Sequence, residues 1–455
     1  MGILLSTGFA CLILGFTAFG GLFSDLYLLL SPPKSISNEV TIVSIDPKSL
    51  AMWDSEDSSP DVTPRDLLAQ LITTVSHAGA NVVVLDIMLD SSTQHDEALA
   101  TAIREHGMVL SAEQIQVNEP HSMTYFSVGI TPELQAQTVV DNHRTLNGVS
   151  ANLYLEEPIL YNGNLIARGA PLLMVHDRVQ TSGEWPSNVM QHPNIDNTLT
   201  PSIGLAAAWL HRNRLLDASV TYEMLLADLQ AVCEVQRAGL VCESKSLPGL
   251  PDFEYRLDRT FYLNFLGPET RDPLPVIQAS TLLTLEAERA QWLSFGLAEK
   301  DLPEHIRDSA LPSEVLDQLK DKVVVIGRVD KFGEEGADRY PTPYSFPFFT
   351  RNDMAGVRIQ AQLIENILTN RHFSRVHWIF ELLFTVVCTW LTILMYTRTP
   401  KYLQAVLWLG STAFLIALGT LLFIVTDGIV LELGLCITMS LLTLIVCNIY
   451  EGAEG

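Results

Sequence analysis

The sequence predicts an α/β extracytoplasmic domain, a parallel sheet flanked by helices with a large central insertion, joined to four transmembrane α-helices. Three observations predict it. Four runs of about 20 apolar residues, enough to cross a bilayer, bracket one long polar region. Short Val- and Ile-rich runs alternate with helical spacing at both ends of that region. Mean hydropathy is +0.22 although the net charge is -24, so apolar and acidic residues are segregated along the chain.

The predicted spans are 3–23, 378–396, 402–425 and 429–450. The first has no Lys or Arg ahead of it and is longer than a signal-peptide core, so it is expected to be an uncleaved anchor. Trp378, Tyr396, Tyr402 and Tyr450 stand at span ends, where an interfacial aromatic belt would place them. Glu381 and Glu432 lie about one turn inside their spans, shallow enough to reach the interface. Arg398 and Lys401 make the 397–401 loop the cytoplasmic one. Both termini are then cytoplasmic, and the domain at 31–376 lies in the periplasm or extracellular space, anchored in the inner (cytoplasmic) membrane.

None of the 52 acids or 28 bases precedes residue 24, and only five acids and two bases follow residue 377. The acidity therefore belongs to the outer region, as a solvated surface. It argues against nucleic acid as a partner. Four of the six cysteines lie in the spans. The other two, Cys233 and Cys242, read as a short-loop disulfide in an oxidising compartment.

Within the outer region, strands are predicted at 40–45, 81–85 and 108–110, with helices at 64–77 and 97–105 between them. Continuous apolar strands alternating with helices indicate a buried parallel sheet. Residues 112–275 are less regular, with helices predicted at 202–216 and 221–237 and a strand at 261–265. A further strand at 323–326 precedes an amphipathic helix at 357–368, whose apolar stripe is Val357, Ala361, Ile364 and Leu368. Both ends of this region lie close to membrane helices, which favours signal transmission over a freely tethered enzyme.

Several segments then carry a resemblance. They are NEVTIVSIDPKSLAMW (38–53), TPRDLLAQL, AGANVVVLDIMLD (78–90), FYLNFLGP (261–268), LPVIQASTLL, DKVVVIGRVDKFGEEGADRYPTPYS (321–345) and AGVRIQAQLIENIL (355–368). In this order the chain resembles the type-two CHASE domain family, the cyclase- and histidine-kinase-associated sensory extracellular domain. The family layout of one span, outer domain and three spans is also matched. The resemblance implies an extracellular sensory domain. The sequence departs from the family where Trp53 is displaced by an acidic stretch at 54–61, and the middle segment matches little. Family members usually continue into a cytoplasmic output domain, whereas this sequence ends five residues after the fourth span. The expectation is therefore signalling to a separate partner.

No phosphate loop, dinucleotide fingerprint, metal motif or nucleophile elbow is present, so no cofactor, metal or catalytic residue is assigned. The 11 histidines are scattered, with His95 and His106 nearest to a cluster, and are expected at the surface. One constellation stands out. Asp46 and Asp86 each follow a parallel strand, and ligands of open α/β sheets bind beyond strand carboxyl ends. Arg65, Asp338 and Thr342 are candidates to join them. The set reads either as a ligand pocket or as a structural ion pair and capping set that holds Arg65 against Asp46 or Asp86.

The functional expectation is a membrane-anchored, non-enzymatic sensor for an unidentified extracytoplasmic ligand or protein, signalling through its helices, with a homodimer expected by analogy. The alternative is a non-catalytic scaffold subunit of an envelope complex.

Overall fold

In the computed structural model of the chain the described residues are 22–32, 34–53, 63–87, 95–117, 198–236, 263–283, 312–329, 354–371 and 374–454 (apart from 427–428 and 432), with short pieces between 123 and 261 and between 339 and 344. After helix α1 (Leu22–Leu30), the first strand β1 (Val40–Ile45) leads through the short α2 (Pro47–Met52) to α3 (Arg65–His77) and β2 (Val82–Asp86). Helix α4 (Asp96–His106) and β3 (Val109–Val117) follow, and β3 also pairs with β4 (Met123–Phe126) and β5 (Gly148–Leu153). Gly107 closes α4 in the left-handed region at φ 77°, its N–H bonded to Ile103 O.

The second half supplies α5 (Ile203–Leu216), α6 (Tyr222–Val232), and a hairpin of β6 (Cys233–Gln236) and β7 (Gly239–Cys242). Then come β8 (Val276–Gln278), α7 (Ser313–Leu319), β9 (Val323–Arg328), the short pair β10 (Arg339–Tyr340) and β11 (Met354–Ala355), and α8 (Gly356–Leu368). The core of the sheet runs β8-β1-β9-β2-β3, all parallel. The last major strand of the chain is thus inserted between the first two.

The pleat divides the strands between two cores. Val40, Ile42, Val82, Val84, Val323 and Val325 face α5 and α8. Val43, Ile45, Val83, Leu85, Val324 and Ile326 face α3, α4 and α7. Side chains that alternate across a strand are apolar on both faces because both faces are covered, as in other helix-flanked parallel sheets.

Two sequence expectations change here. The helix expected over 221–237 ends at Val232, and the chain turns into the β6–β7 hairpin, where Cys233 stands opposite Cys242. The β-branched Val235 and Val241, one in each strand, tolerate the extended backbone better than a helix. The strand expected at 261–265 is reduced to Thr260–Phe261, and residues 264–272 instead run along α8.

Past the domain lie β12 (Ser374–Arg375), α9 (Trp378–Arg398), α10 (Lys401–Val425), β13 (Ile429–Val430) and α11 (Gly434–Glu454). Ile379–Arg398 and Tyr402–Val425 are long and apolar enough to cross a membrane. The expected first span lies almost wholly outside the described residues. The expected fourth span loses its start to β13, which pairs in parallel with β12, and the apolar stretch of its helix is the shorter Met439–Ile449. Glu381, expected to reach outward, is buried at 9% exposure. It sits in the first turn of α9, where the helix dipole favours a carboxylate.

Candidate functional site

The carboxyl ends of β1, β9 and β2 form one edge of the sheet. Ser44, Gly327 and Asp86 lie side by side there in register. Asp46 follows β1 on the same edge, and α3 and α4 both begin there, at Arg65 and Asp96. The structure thus places Asp46 and Asp86 at the ends of their strands and Arg65 at the start of α3.

Local bonds define what these groups do. Asp46 caps α2, its Oδ1 accepting from Ser49 N–H at 2.8 Å and from the Ser49 hydroxyl at 2.5 Å. Ser280 N–H in turn donates to Ser49 Oγ at 3.0 Å, which ties β1 to the segment after β8. Asp46 therefore fills the capping role that was one of its two alternatives. Arg65 is 1% exposed and its Nε lies 3.4 Å from Asp96 Oδ1. The structural pair foreseen with Asp46 or Asp86 thus includes Asp96, which starts the next helix and went unnoticed because nothing in its spacing marks it. Thr342 is buried and its Oγ1 accepts from Tyr344 N–H at 3.3 Å. Tyr344 packs edge-on against Phe265, ring centroids 6.4 Å apart, in the cluster that holds Tyr27 of α1. Asp338 lies outside the described residues.

The opposite edge, where β1, β2 and β9 begin, is the one that the linker out of α1 and the segment leading into α9 both reach. Here α8 carries a polar stripe opposite its apolar one. Gln362, Glu365 and Asn366 are each fully buried. Asn366 Oδ1 accepts from Asn264 N–H at 3.2 Å, and Gln362 Oε1 accepts from Leu266 N–H at 3.3 Å. Gln362 Nε2 donates to Asp272 Oδ2 at 3.1 Å, and Arg358 lies 3.3 Å from the same oxygen. The stripe thus supplies partners to an irregular segment whose backbone would otherwise be buried without them. Burial pushes the Asp272 carboxyl above its ordinary range, against the bonds from Leu274 N–H, Gln362 and Arg358.

The linker out of α1 lies against the end of this stripe. Ser37 donates its N–H to Glu365 Oε1 at 2.5 Å and its hydroxyl to Oε2 at 2.7 Å. Arg371 donates to Ser35 O and, at 2.9 Å, to Ser35 Oγ. Glu39 accepts from His211 Nε2 at 3.2 Å and pairs with Arg212 at 3.1 Å. Asn81 Nδ2 meets both His211 O at 3.0 Å and His211 Nδ1 at 3.1 Å, so Nδ1 is the acceptor and Nε2–H faces Glu39. Burial acts to raise the Glu39 carboxyl, but the bond from His211 and the charge of Arg212 bring it below its usual value. Burial raises Glu365, and the Glu39 carboxylate adds to that, against the Ser37 bonds and Arg371.

The family model of the CHASE2 domain matches residues 3–396. The chain belongs to the CHASE2 domain family. No curated protein and no solved structure matches it.

The CHASE2 chain, a member of this family of extracellular sensory domains, gathers buried polar groups at two places. One is the strand-end edge with Asp86 and the Arg65–Asp96 pair. The other is the buried polar contact between the α1 linker and α8. The first was visible as strand-terminal aspartates. The second had one signal, the polar set Arg358, Gln362, Glu365 and Asn366 at helical spacing opposite the apolar stripe, and such a set resembles an ordinary solvated face. His211, fully buried, and His106, bonded on both ring nitrogens, are not the surface groups expected. In the CHASE2 hairpin Cys233 is disulfide-bonded and has Cys242 as its register partner.

Proposed function

We propose that this protein is a membrane-anchored sensor whose CHASE2 domain lies outside the cytoplasmic membrane, with four spans and both termini inside, and that it signals through its helices to a separate partner. The observation that carries the reading is the contact of the two membrane connections. The linker from α1 reaches Glu365 and Arg371 through Ser37 and Ser35, a few residues before α9 begins at Trp378. A rearrangement of the sheet or of α8 therefore reaches the first and second membrane helices together, with little slack. The ligand is proposed to bind at the strand-end edge, with Asp86 as an acceptor. The chain is proposed to act without catalysis.

The test is gentle detergent purification of the tagged protein from its own membranes, followed by mass spectrometry. A stoichiometric kinase, cyclase or other signalling protein is the expected companion. Recovery of this chain alone, or only with structural envelope proteins, would replace the sensory reading with that of a scaffold subunit. Asp86→Asn tests the ligand edge: unchanged signalling in a folded variant removes Asp86 from it.

A further inference from the structure

We propose that the Ser37–Glu365 contact is an acid-released latch, which holds the linker of the first membrane helix to α8 while Glu365 is ionised and frees it when Glu365 takes up a proton. This deepens the sensory reading, but its test reads the linker rather than a partner, so the two can fail separately.

The geometry demands an acceptor-only group. Both Glu365 oxygens receive donors from one residue, Ser37 N–H and Ser37 Oγ–H. An ionised carboxylate satisfies both, with charge-assisted bonds about twice as strong as neutral ones. A proton on Oε1 would face the Ser37 N–H, donor against donor. A proton on Oε2 would force the Ser37 hydroxyl to find another acceptor while its oxygen still takes Glu39 N–H at 3.1 Å. Either way the contact weakens, and Ser37 lies within the linker between α1 and β1.

The surroundings place this change above the ordinary carboxylate range. Glu365 is fully buried. The charged groups that act on it are Glu39 on the linker and Arg371 after α8; Glu39 in turn meets His211 and Arg212 on α5 and the charge of Lys322 before β9, which Asp317 of α7 also faces. Burial and the like charge of Glu39 favour the protonated form of Glu365, and Arg371 alone opposes them as a cation. Glu39 titrates below its ordinary value because His211 and Arg212 outweigh its burial. On acidification Glu365 is thus neutralised while Glu39 stays charged. Other bonds of the linker, Arg371 to Ser35, Lys34 to Asn264 and the Glu39 carboxylate to His211 and Arg212, do not involve Glu365 and persist.

The experiment is hydrogen exchange by mass spectrometry on the full chain in nanodiscs, from about pH 8 to about pH 4.5, with rates corrected for the intrinsic pH dependence. Peptides spanning 34–39 are expected to lose about tenfold in protection across one proton step above the ordinary Glu value, while β9 amides hold theirs. Glu365→Gln is expected to show the low protection at every pH. Constant protection of 34–39 in the wild type, or a step that survives in Glu365→Gln, overturns the proposal. Should Glu365→Gln lose β9 protection as well, Glu39→Gln decides: removal of its charge moves the step to lower pH if Glu365 is the titrating group, and an unmoved step overturns the assignment.

Discussion

Tyr27 on α1 donates its hydroxyl to the carbonyl of Leu431, 2.8 Å away and more than 400 residues later in the chain. The same hydroxyl stands 2.2 Å from where a Cβ on Gly419 would be. The Tyr27 ring is therefore wedged against α10 at the one residue type that leaves room for it, tilted against Phe423 at 6.0 Å. The Lys34 ammonium stands 4.9 Å from the centroid of the same Phe423 ring.

Tyr27→Phe should keep the wedge and lose one hydrogen bond, at a cost of about 1 kcal/mol. Gly419→Ala should force the ring aside and cost about 1–3 kcal/mol as an overpacking change. Unfolding of the full chain in nanodiscs checks the order. Equal effects would mean the ring has room to shift.

Gly327 is the second close approach. A Cβ there would lie 2.6 Å from Val357 Cγ2 and 3.3 Å from Asp86 Cβ. Gly327→Ala is expected to push α8 off β9 and to lower stability by about 1–3 kcal/mol. The combination with Val357→Ala should recover part of that loss. A double variant no more stable than Gly327→Ala would show that α8 does not bear directly on β9.

Arg65 and Asp96 are a buried pair at the starts of α3 and α4. Arg65→Ala is expected to cost about 3–5 kcal/mol, because it strands a buried carboxylate. Arg65→Ala with Asp96→Ala should cost less than the two single losses together. Denaturant unfolding of the four proteins gives the coupling, and additive losses would dissolve the pair.

His106 sets a pH dependence. Burial, with Arg214 nearby, holds its ring down to about 4 from the ordinary 6.5, against the bonds to Ala80 O and Met108 N–H. The native state accepts this proton later than the unfolded chain does. Its contribution is complete above pH 6.5 and is lost as pH falls from there through about 4, up to about 3 kcal/mol. His106→Gln is expected to flatten this part of the profile in melting curves between pH 7.5 and pH 4. Glu365 and Asp272, both raised, act in the opposite direction: the stability they give is fullest at low pH and falls as pH rises from the ordinary carboxylate value through their own. Only the difference between wild type and variant isolates the histidine. A parallel loss in both proteins would clear His106.

The hairpin cysteines give a chemical prediction. Thiol labelling of the unreduced protein should leave Cys233 and Cys242 unmodified, and reduction should expose both together at a loss of about 2–3 kcal/mol for so short a loop. Labelling of either without reductant would exclude the pairing.

Much of this was legible in particular residues. The runs Val40–Ile45, Val82–Asp86 and Val323–Arg328 are continuous, β-branched and bounded, and each is a buried parallel strand. Pro64 and Gly79 mark the start and the end of α3, Gly79 in the left-handed region at φ 83°, as their backbone preferences require. Strand β8 went unseen because three residues after a proline carry no period. The polar stripe of α8 is not legible because burial of Gln362 and Asn366 depends on a segment about 100 residues away, and that of Glu365 on the linker more than 300 residues away.

The sequence by itself determined the class of protein: the alternation of strands and helices, the apolar runs and the family, each of which is a local or periodic property of neighbouring residues. The tertiary structure alone decided which groups meet. It inserted β9 between β1 and β2, gave Arg65 to Asp96, made Asp46 a helix cap, and brought Ser37 to Glu365. Those choices rest on the requirement that every buried polar group find a partner, and the partners lie on elements that are distant in sequence and adjacent only once the sheet has formed.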